Sequence, residues 1–155
     1  MFVVADLEQS KQDSDDRMLG DGFMKESKFI KVLVADDSSL LREHLMDVVS
    51  RFQEMRVVGQ AEDVPQAIES VFRLNPDLVI LDIQMPGGTG IDVLETIKAN
   101  KPSPVVIMLT NYPYPQYRKK CIEAGADFFF DKSLDFNALI DTLRNLILRF
   151  GYSLS

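Results

Sequence analysis

The chain has 155 residues, 46% of them hydrophobic and 26% charged, which is the usage of one soluble globular domain rather than of a disordered or fibrous protein. The formal net charge of -7 disfavours binding to nucleic acid or to anionic lipid, and one cysteine with one histidine excludes an internal disulfide and a Cys/His zinc site. The single cysteine is typical of a reducing compartment, so we expect a cytoplasmic protein. No apolar stretch approaches the roughly 20 residues that a membrane-spanning helix needs, so no membrane anchor is predicted.

Residues 1–28 are predicted to be a disordered acidic leader. The part from Ala5 to Ser27 is polar and acidic and shows no apolar period. The opening MFVVA lacks the basic flank and the sustained apolar run of a secretory signal. Met18 and Met24 are alternative starts. We therefore expect one folded domain over residues 29–152, with no output domain.

From Phe29 onward, short β-branched runs alternate with amphipathic segments, a pattern typical of an α/β domain with a parallel sheet between two layers of helices. The predicted strands share a short length and a mostly apolar composition, as buried parallel strands do. They are Ile30–Ala35, Arg56–Gln60, Leu78–Leu81, Val105–Leu109 and Ala126–Phe130.

Five helices are predicted around these strands. The first, capped by Ser38 or Ser39, carries a stripe of apolar side chains that ends at Phe52. The second runs near Val64–Leu74, the third opens at Gly90, the fourth follows Pro115 and ends at a capping Gly125, and the fifth runs from Phe136 to about Phe150.

Polar side chains are predicted to converge where the strands end. Asp36 and Asp37 follow the first strand, and Asp82 follows the third. Thr110 and Lys132 come at the ends of the fourth and the fifth. Open parallel sheets bind ligands beyond the carboxyl ends of their strands, where crowded carboxylates raise one another's pKa unless a cation lies among them. Because oxygen ligands without His or Cys favour Mg²⁺, the sequence predicts a magnesium site.

Such a site suits phosphoryl transfer, which depends mainly on positioning and on neutralising the charge of the phosphoryl oxygens. Asp82 is the predicted nucleophile, because it stands alone at a strand end ahead of the glycine-rich loop Gly87–Gly90. Lys132 would supply a positive charge to the phosphoryl group, and Thr110 would supply a hydrogen bond.

From Phe29 to about Phe150, the chain resembles the receiver domain of two-component response regulators. The shared motifs are a DD pair after the first strand, the D-x-x-M-P-x-x-x-G pattern at Asp82 to Gly90, a strand-ending Thr and a strand-ending Lys. The resemblance implies a flavodoxin-like, doubly wound fold whose five parallel strands lie in the order 2-1-3-4-5. It also implies a stand-alone, chemotaxis-regulator-like protein.

The resemblance assigns roles to the residues at the strand ends. Asp82 would accept a phosphoryl group from a phosphohistidine, on a sensor histidine kinase or a histidine phosphotransfer protein. Asp36, Asp37 and Asp82 would bind Mg²⁺ together with the backbone carbonyl of Gln84. Lys132 would hold a phosphoryl oxygen.

The resemblance further implies a conformational switch. Thr110 would move onto the phosphoryl group, and Phe129, three residues before Lys132, would turn inward. The surface of the fourth helix, the fifth strand and the fifth helix would then change and bind a downstream protein whose identity is unknown. We expect a signalling switch that catalyses its own phosphorylation and dephosphorylation rather than an enzyme, with no nucleic-acid or membrane partner.

Three features depart from the usual pattern of this family. Ser133 follows Lys132 where many receivers have a proline after a cis bond, and the sequence leaves the cis and trans forms open. Asn111 follows Thr110 where a small residue is usual, so we expect narrower access to the site and altered kinetics. The loop NYPYPQY that begins at Asn111 is rich in proline and tyrosine, which favours a docking surface.

The residues disfavour three alternative functions. A Mg²⁺-dependent phosphatase with an aspartyl nucleophile is disfavoured by Gln84, which stands where enzymes resembling haloacid dehalogenases have a second acid. A flavin-binding flavodoxin-like module is disfavoured because Asp36 and Asp37 would repel the cofactor's phosphate. A phosphorylation-independent scaffold is disfavoured by the intact acids and by Lys132.

Overall fold

A computed structural model describes residues 29–111 and 113–154, and the predicted leader at residues 1–28 lies outside this part of the chain. The elements follow in the order β1 (Ile30–Ala35), α1 (Ser39–Ser50), β2 (Met55–Ala61), α2 (Val64–Leu74), β3 (Leu78–Leu81), β4 (Gln84–Met85), β5 (Gly88–Thr89), α3 (Gly90–Lys98), β6 (Val105–Thr110), α4 (Pro115–Glu123), β7 (Phe128–Asp131) and α5 (Phe136–Arg149). Within these residues, no helix combines the length and the apolar character needed to cross a membrane.

The central sheet contains five parallel strands in the order β2-β1-β3-β6-β7. Since β6 and β7 are the fourth and fifth strands of this sheet along the chain, the predicted order 2-1-3-4-5 is confirmed. The direction of winding reverses between β1 and β3. In doubly wound folds, the carboxyl ends of the two strands at such a reversal border the ligand-binding crevice.

Helices cover both faces of the sheet, and the side chains of each strand alternate between them. Leu33 and Leu81 lie in a buried cluster with residues of α2, α3 and α4. Their neighbours Val34 and Ile80 lie in a second cluster, with residues of α1 and α5. Burying one such side chain contributes about 1.5 to 3 kcal/mol to the free energy of folding, so the two clusters hold the strand ends in place.

Two helix boundaries agree with the caps predicted for them. The side chain of Ser38 accepts the N–H of Leu41 at 3.2 Å, which satisfies one of the free donors at the start of α1. At the other boundary, Gly125 adopts a φ of 103°, and the N–H of Ala126 donates to the carbonyl of Cys121 at 2.9 Å. This is the Schellman arrangement expected of a glycine after a helix end.

Two parts of the predicted element map are wrong. The glycine-rich segment after Asp82 is not a plain loop, because it contains the antiparallel hairpin of β4 and β5. Gly87 lies in its turn and Gly88 begins β5, both at positive φ. The strand predicted at Ala126–Phe130 begins later, at Phe128, as β7. Asp127 stays outside this strand, where its carboxylate accepts the N–H of Val106 at 2.8 Å.

Candidate functional site

Three carboxylates meet at the carboxyl ends of β1 and β3. These strands pair in parallel with Ala35 beside Leu81, so the residues that follow the two strands emerge next to each other. Asp36, Asp37 and Asp82 each offer an oxygen atom, and these oxygens lie within 4.8 Å of one another. Asp36 and Asp82 are buried, whereas Asp37 is exposed. The cluster is therefore open to solvent on one side.

Lys132 completes the cluster from the other side of the crevice. It directly follows β7, and its backbone N–H donates to the carbonyl of Thr110 at 2.9 Å. Its Nζ lies 2.7 Å from Oδ2 of Asp36 and 3.2 Å from Oδ2 of Asp82. A single ammonium group thus bridges two buried carboxylates.

The electrostatics of Asp82 reflect this crowding. The pKa of its carboxyl is raised from 3.8 to about 6, chiefly by burial and next by the charge of Asp36, while Lys132 opposes the increase. Oδ1 of Asp82 also accepts the N–H of Ile83 at 2.8 Å, which favours the charged form. The raised pKa shows that Lys132 alone does not offset the cost of holding this charge in the site.

The donor set fits a hard divalent cation. Three carboxylates and one ammonium leave a formal charge of about -2 at neutral pH, and the donors of the cluster are all oxygens. Mg²⁺ prefers such oxygen ligands and retains several waters, which the open side at Asp37 would accommodate. Gln84 begins β4 two residues after Asp82, with an exposed side chain, and pairs with Thr89 across the hairpin.

Gly90 fixes the backbone that carries Asp82. Its N–H donates to the carbonyl of Ile83 at 2.7 Å, and a Cβ added at this position would clash with the backbone carbonyl oxygen of Asp82. Directly before it, Thr89 caps α3 in a reciprocal capping box with Asp92. A residue without a side chain is therefore required where the hairpin leads into α3.

Comparison with known proteins identifies the family. The family model for the response regulator receiver domain matches residues 32–144. The chain belongs to the response regulator receiver domain family. It is 32% identical over 115 residues to the sensory transduction protein LytT of Bacillus cereus, and the match covers 74% of this chain and 46% of LytT. The chain thus spans less than half the length of this relative.

Solved receiver structures resemble this receiver domain in fold. The response regulator domain of Thermotoga maritima CheB superposes with a TM-score of 0.69 and 33% identity, covering 78% of this chain and 95% of that chain. The CheX-CheY-BeF3-Mg+2 complex of Borrelia burgdorferi gives a TM-score of 0.67 and 28% identity, covering 78% of this chain and 89% of the matched one.

The two residues that the family resemblance names as the switch lie on neighbouring strands of the receiver. Thr110 is the last residue of β6, is fully buried and pairs with Asp131 of β7. Phe129 of β7 is 4% exposed and lies in the cluster shared with α2, α3 and α4. Above its ring, at 4.7 Å from the centroid, lies the guanidinium of Arg118, which also donates to the Phe129 carbonyl at 3.4 Å. Sequence analysis did not predict this contact.

Ser133, the residue after Lys132, follows a trans peptide bond and is held by hydrogen bonds to Asp131. In the described part of the chain, the cis peptide bond is Lys101–Pro102, so the bond between Lys132 and Ser133 is trans. Oδ1 of Asp131 accepts the backbone N–H of Ser133 at 2.8 Å and its hydroxyl at 2.7 Å. These bonds hold the pKa of Asp131 below its usual range. A proline could donate neither of them.

Two further predicted features lie beside the crevice. Asn111 is exposed directly after Thr110. In the predicted docking loop, the rings of Tyr114 and Tyr117 lie 5.8 Å apart, and Tyr114 is 52% exposed. Tyr112 of this loop lies outside the described residues.

Sequence analysis also missed Arg42 of α1. Its guanidinium donates to the backbone carbonyl of Asp36 at 2.7 Å and to the side chain of Gln60 at 2.8 Å. A bond to a backbone carbonyl has no signature in the residue types, because any residue carries that acceptor. The available signal was the place of an arginine one turn into the helix that follows the acidic pair.

Proposed function

We propose that this receiver domain accepts a phosphoryl group on Asp82 from a phosphohistidine protein, in a Mg²⁺-dependent reaction, and then acts on another protein as a signalling switch. One observation carries the proposal. Asp36, Asp37 and Asp82 converge with the Lys132 ammonium at the point where the winding of the sheet reverses. Such a cluster combines a nucleophile, ligands for a cation and a fixed positive charge.

The transfer itself needs few groups from the protein. A carboxylate oxygen of Asp82 attacks phosphorus, the new O–P bond forms as the N–P bond to the donor histidine breaks, and the imidazole leaves with that electron pair. Lys132 Nζ, 3.2 Å from Oδ2 of Asp82, is within reach of an oxygen on the incoming phosphoryl group. Asp36, Asp37, Asp82 and the Gln84 carbonyl would hold Mg²⁺, which supplies charge neutralisation when bound.

The switch would act on its target through the surface next to Thr110 and Phe129. Thr110 would donate its hydroxyl to the phosphoryl group, and movement of Phe129 would alter the surface formed by α4, β7 and α5. On that surface, the exposed basic run Arg118–Lys120 contrasts with the acidic chain as a whole. The net charge of -7 would repel nucleic acid, so an acidic patch on a downstream protein is the better match for this basic run.

Two observations bear on the choice of function. The relative from Borrelia burgdorferi was solved as a CheX-CheY-BeF3-Mg+2 complex, and its fold matches this chain. This supports a magnesium-dependent reaction on a similar scaffold. A hydrolytic phosphatase is less well supported, because the exposed Gln84 offers an amide where such an enzyme needs a general acid.

The test is the intact mass of the protein after incubation with acetyl phosphate, with Mg²⁺ or with EDTA. We expect one phosphoryl adduct that requires Mg²⁺ and is absent from Asp82→Asn. The matched control is Asp141→Asn, which changes an exposed acid of α5 and should label like the wild type. No adduct in the wild-type protein would favour a phosphorylation-independent scaffold, and labelling of Asp82→Asn at the wild-type level would refute the assignment of Asp82.

A further inference from the structure

Arg42 joins the acidic end of β1 to the neighbouring strand β2. Its Nη1 donates to the backbone carbonyl of Asp36 at 2.7 Å, and its Nε donates to Oε1 of Gln60 at 2.8 Å. Gln60 lies near the end of β2, and β2 is the edge strand next to β1. The planar guanidinium can make both bonds at once because its donors have a fixed geometry.

This contact completes the hydrogen bonding of Asp36. The backbone N–H of Asp36 donates to the carbonyl of Ala61 at 2.9 Å, Oδ1 accepts the N–H of Ser38 at 2.8 Å, and Oδ2 contacts Lys132 at 2.7 Å. The carbonyl is the remaining polar group, and Arg42 is its donor. Each hydrogen-bonding group of this buried acid is thus assigned to a different neighbour.

The carbonyl of Asp36 belongs to the peptide plane that leads to Asp37. Because a peptide unit is planar and includes the Cα of the next residue, a donor that fixes this carbonyl also restrains the position of the Asp37 Cα. Asp37 is exposed, so little packing restrains it. The point from which its carboxylate reaches the oxygens of Asp36 and Asp82, within 4.8 Å, is therefore set by this peptide plane.

We infer that Arg42 is a positioning residue that orients Asp36 and Asp37 for a divalent cation and thereby increases the affinity of the site for Mg²⁺. The inference rests on the proposed function, in which these acids bind the metal. The charge of Arg42 acts in the opposite direction, because a cation near the site repels a second cation. We expect positioning to prevail, since the guanidinium is bonded to a backbone carbonyl and leaves the carboxylate oxygens to other partners. Groups that orient metal ligands typically change affinity by about 10- to 100-fold.

The experiment is a titration of the full chain with MgCl2, in which binding is measured from the amide chemical shifts of Asp37 and Asp82 in ¹H–¹⁵N spectra. Arg42→Gln should raise the dissociation constant for Mg²⁺ about 10-fold, which is the lower end of the range for residues that orient metal ligands. Arg42→Lys should fall between this variant and the wild type, because an ammonium keeps the charge but cannot reproduce the two-pronged contact. Arg73→Gln is the matched control, since Arg73 makes one Nε bond to Glu69 on α2.

A second measurement on the same proteins in EDTA separates positioning from general stability. Amide exchange at Asp36 and Ser38, whose N–H groups donate to the Ala61 carbonyl and to Oδ1 of Asp36, should become faster in Arg42→Gln, while exchange in β3 and β6 stays at the wild-type level. Equal or tighter Mg²⁺ binding by Arg42→Gln would overturn the inference, and so would faster exchange throughout the sheet. If the wild-type protein itself showed no saturable shift with Mg²⁺, the magnesium site of the proposed function would fail first.

Discussion

Replacing Asp82 with asparagine should make the metal-free domain more stable near neutral pH. Asparagine has nearly the same shape, keeps an oxygen that can accept the N–H of Ile83, and removes a charge that is both buried and close to Asp36. A substitution at a site of function that increases stability is expected when the site holds like charges together without their cation.

The size of the effect follows from the pKa of Asp82. Burial and, to a lesser degree, Asp36 raise this pKa from 3.8 to about 6 despite the opposing effect of Lys132. Since the folded-state pKa lies above the unfolded-state value, folding takes up a proton between these two pH values. The free energy of unfolding therefore falls as pH rises from about 4 to 6, by up to about 3 kcal/mol at 1.36 kcal/mol per pKa unit.

Urea unfolding in EDTA at pH 7.5 and at pH 4.5 measures this difference. At pH 7.5, Asp82→Asn should unfold with a free energy about 1 to 3 kcal/mol larger than that of the wild type. At pH 4.5 the gap should narrow, because most of the wild-type Asp82 is then protonated in the folded state. If the site binds Mg²⁺ as proposed, saturating Mg²⁺ should stabilise the wild type more than the variant, because Asp82→Asn removes one of the charged ligands.

The control is again Asp141→Asn, an exposed acid that lies 3.2 Å from Arg144 and should change the free energy of unfolding by less than about 1 kcal/mol at either pH. The reasoning would be refuted if Asp82→Asn were less stable than the wild type at pH 7.5 in EDTA. It would also be refuted if the gap between the two proteins were the same at both pH values.

Substitutions at three further positions test the groups around Asp82. Lys132→Ala leaves two buried carboxylates without their ammonium, so it should lower the free energy of unfolding in EDTA by about 3 kcal/mol, measured with urea. The variant should still bind Mg²⁺ in amide-shift titrations, but acetyl phosphate should label it far more slowly. Gly90→Ala places a Cβ against the Asp82 carbonyl oxygen and should cost about 1 to 3 kcal/mol, measured as a lower urea midpoint; an unchanged midpoint would contradict the contact. Ser133→Pro removes both donors to Asp131 and should lower the urea midpoint, whereas Ser133→Ala removes the hydroxyl alone and should lower it less; equal midpoints for the two variants would contradict the backbone hydrogen bond.

The fold was predictable to the extent that it depends on apolar periodicity. The buried runs of β1 and β3 have the length and composition of parallel strands, and Ser38 and Gly125 mark helix ends through their own backbone preferences. The hairpin at β4 and β5 was missed because each strand has two residues, too few for any alternation to show. The start of β7 was misplaced because the partners of Asp127, at Lys98 and Val106, are distant in sequence.

The proximity of the charged side chains at the candidate site was predictable from the sequence. Asp36, Asp82 and Lys132 follow strands, and parallel strands bring their carboxyl ends to one edge, so their proximity follows from topology. Arg42 and Arg118 could not be predicted in this way. Both donate to backbone carbonyls, of Asp36 and of Phe129, and their exposed or half-buried positions on helices are those of ordinary surface arginines.

The charge balance of the cluster explains why one lysine and one divalent cation suit the proposed cycle. Before transfer, three carboxylates and Lys132 leave a formal charge of about -2, which one Mg²⁺ would offset. After transfer, the carboxyl group of Asp82 is part of an acyl phosphate and carries no charge of its own, but the phosphoryl group brings about two negative charges to the same place. The demand for positive charge therefore increases at the moment of phosphorylation. A buried hydroxyl such as that of Thr110 would then be attracted toward the phosphoryl oxygens, and this attraction would couple the chemistry to the neighbouring strand β7.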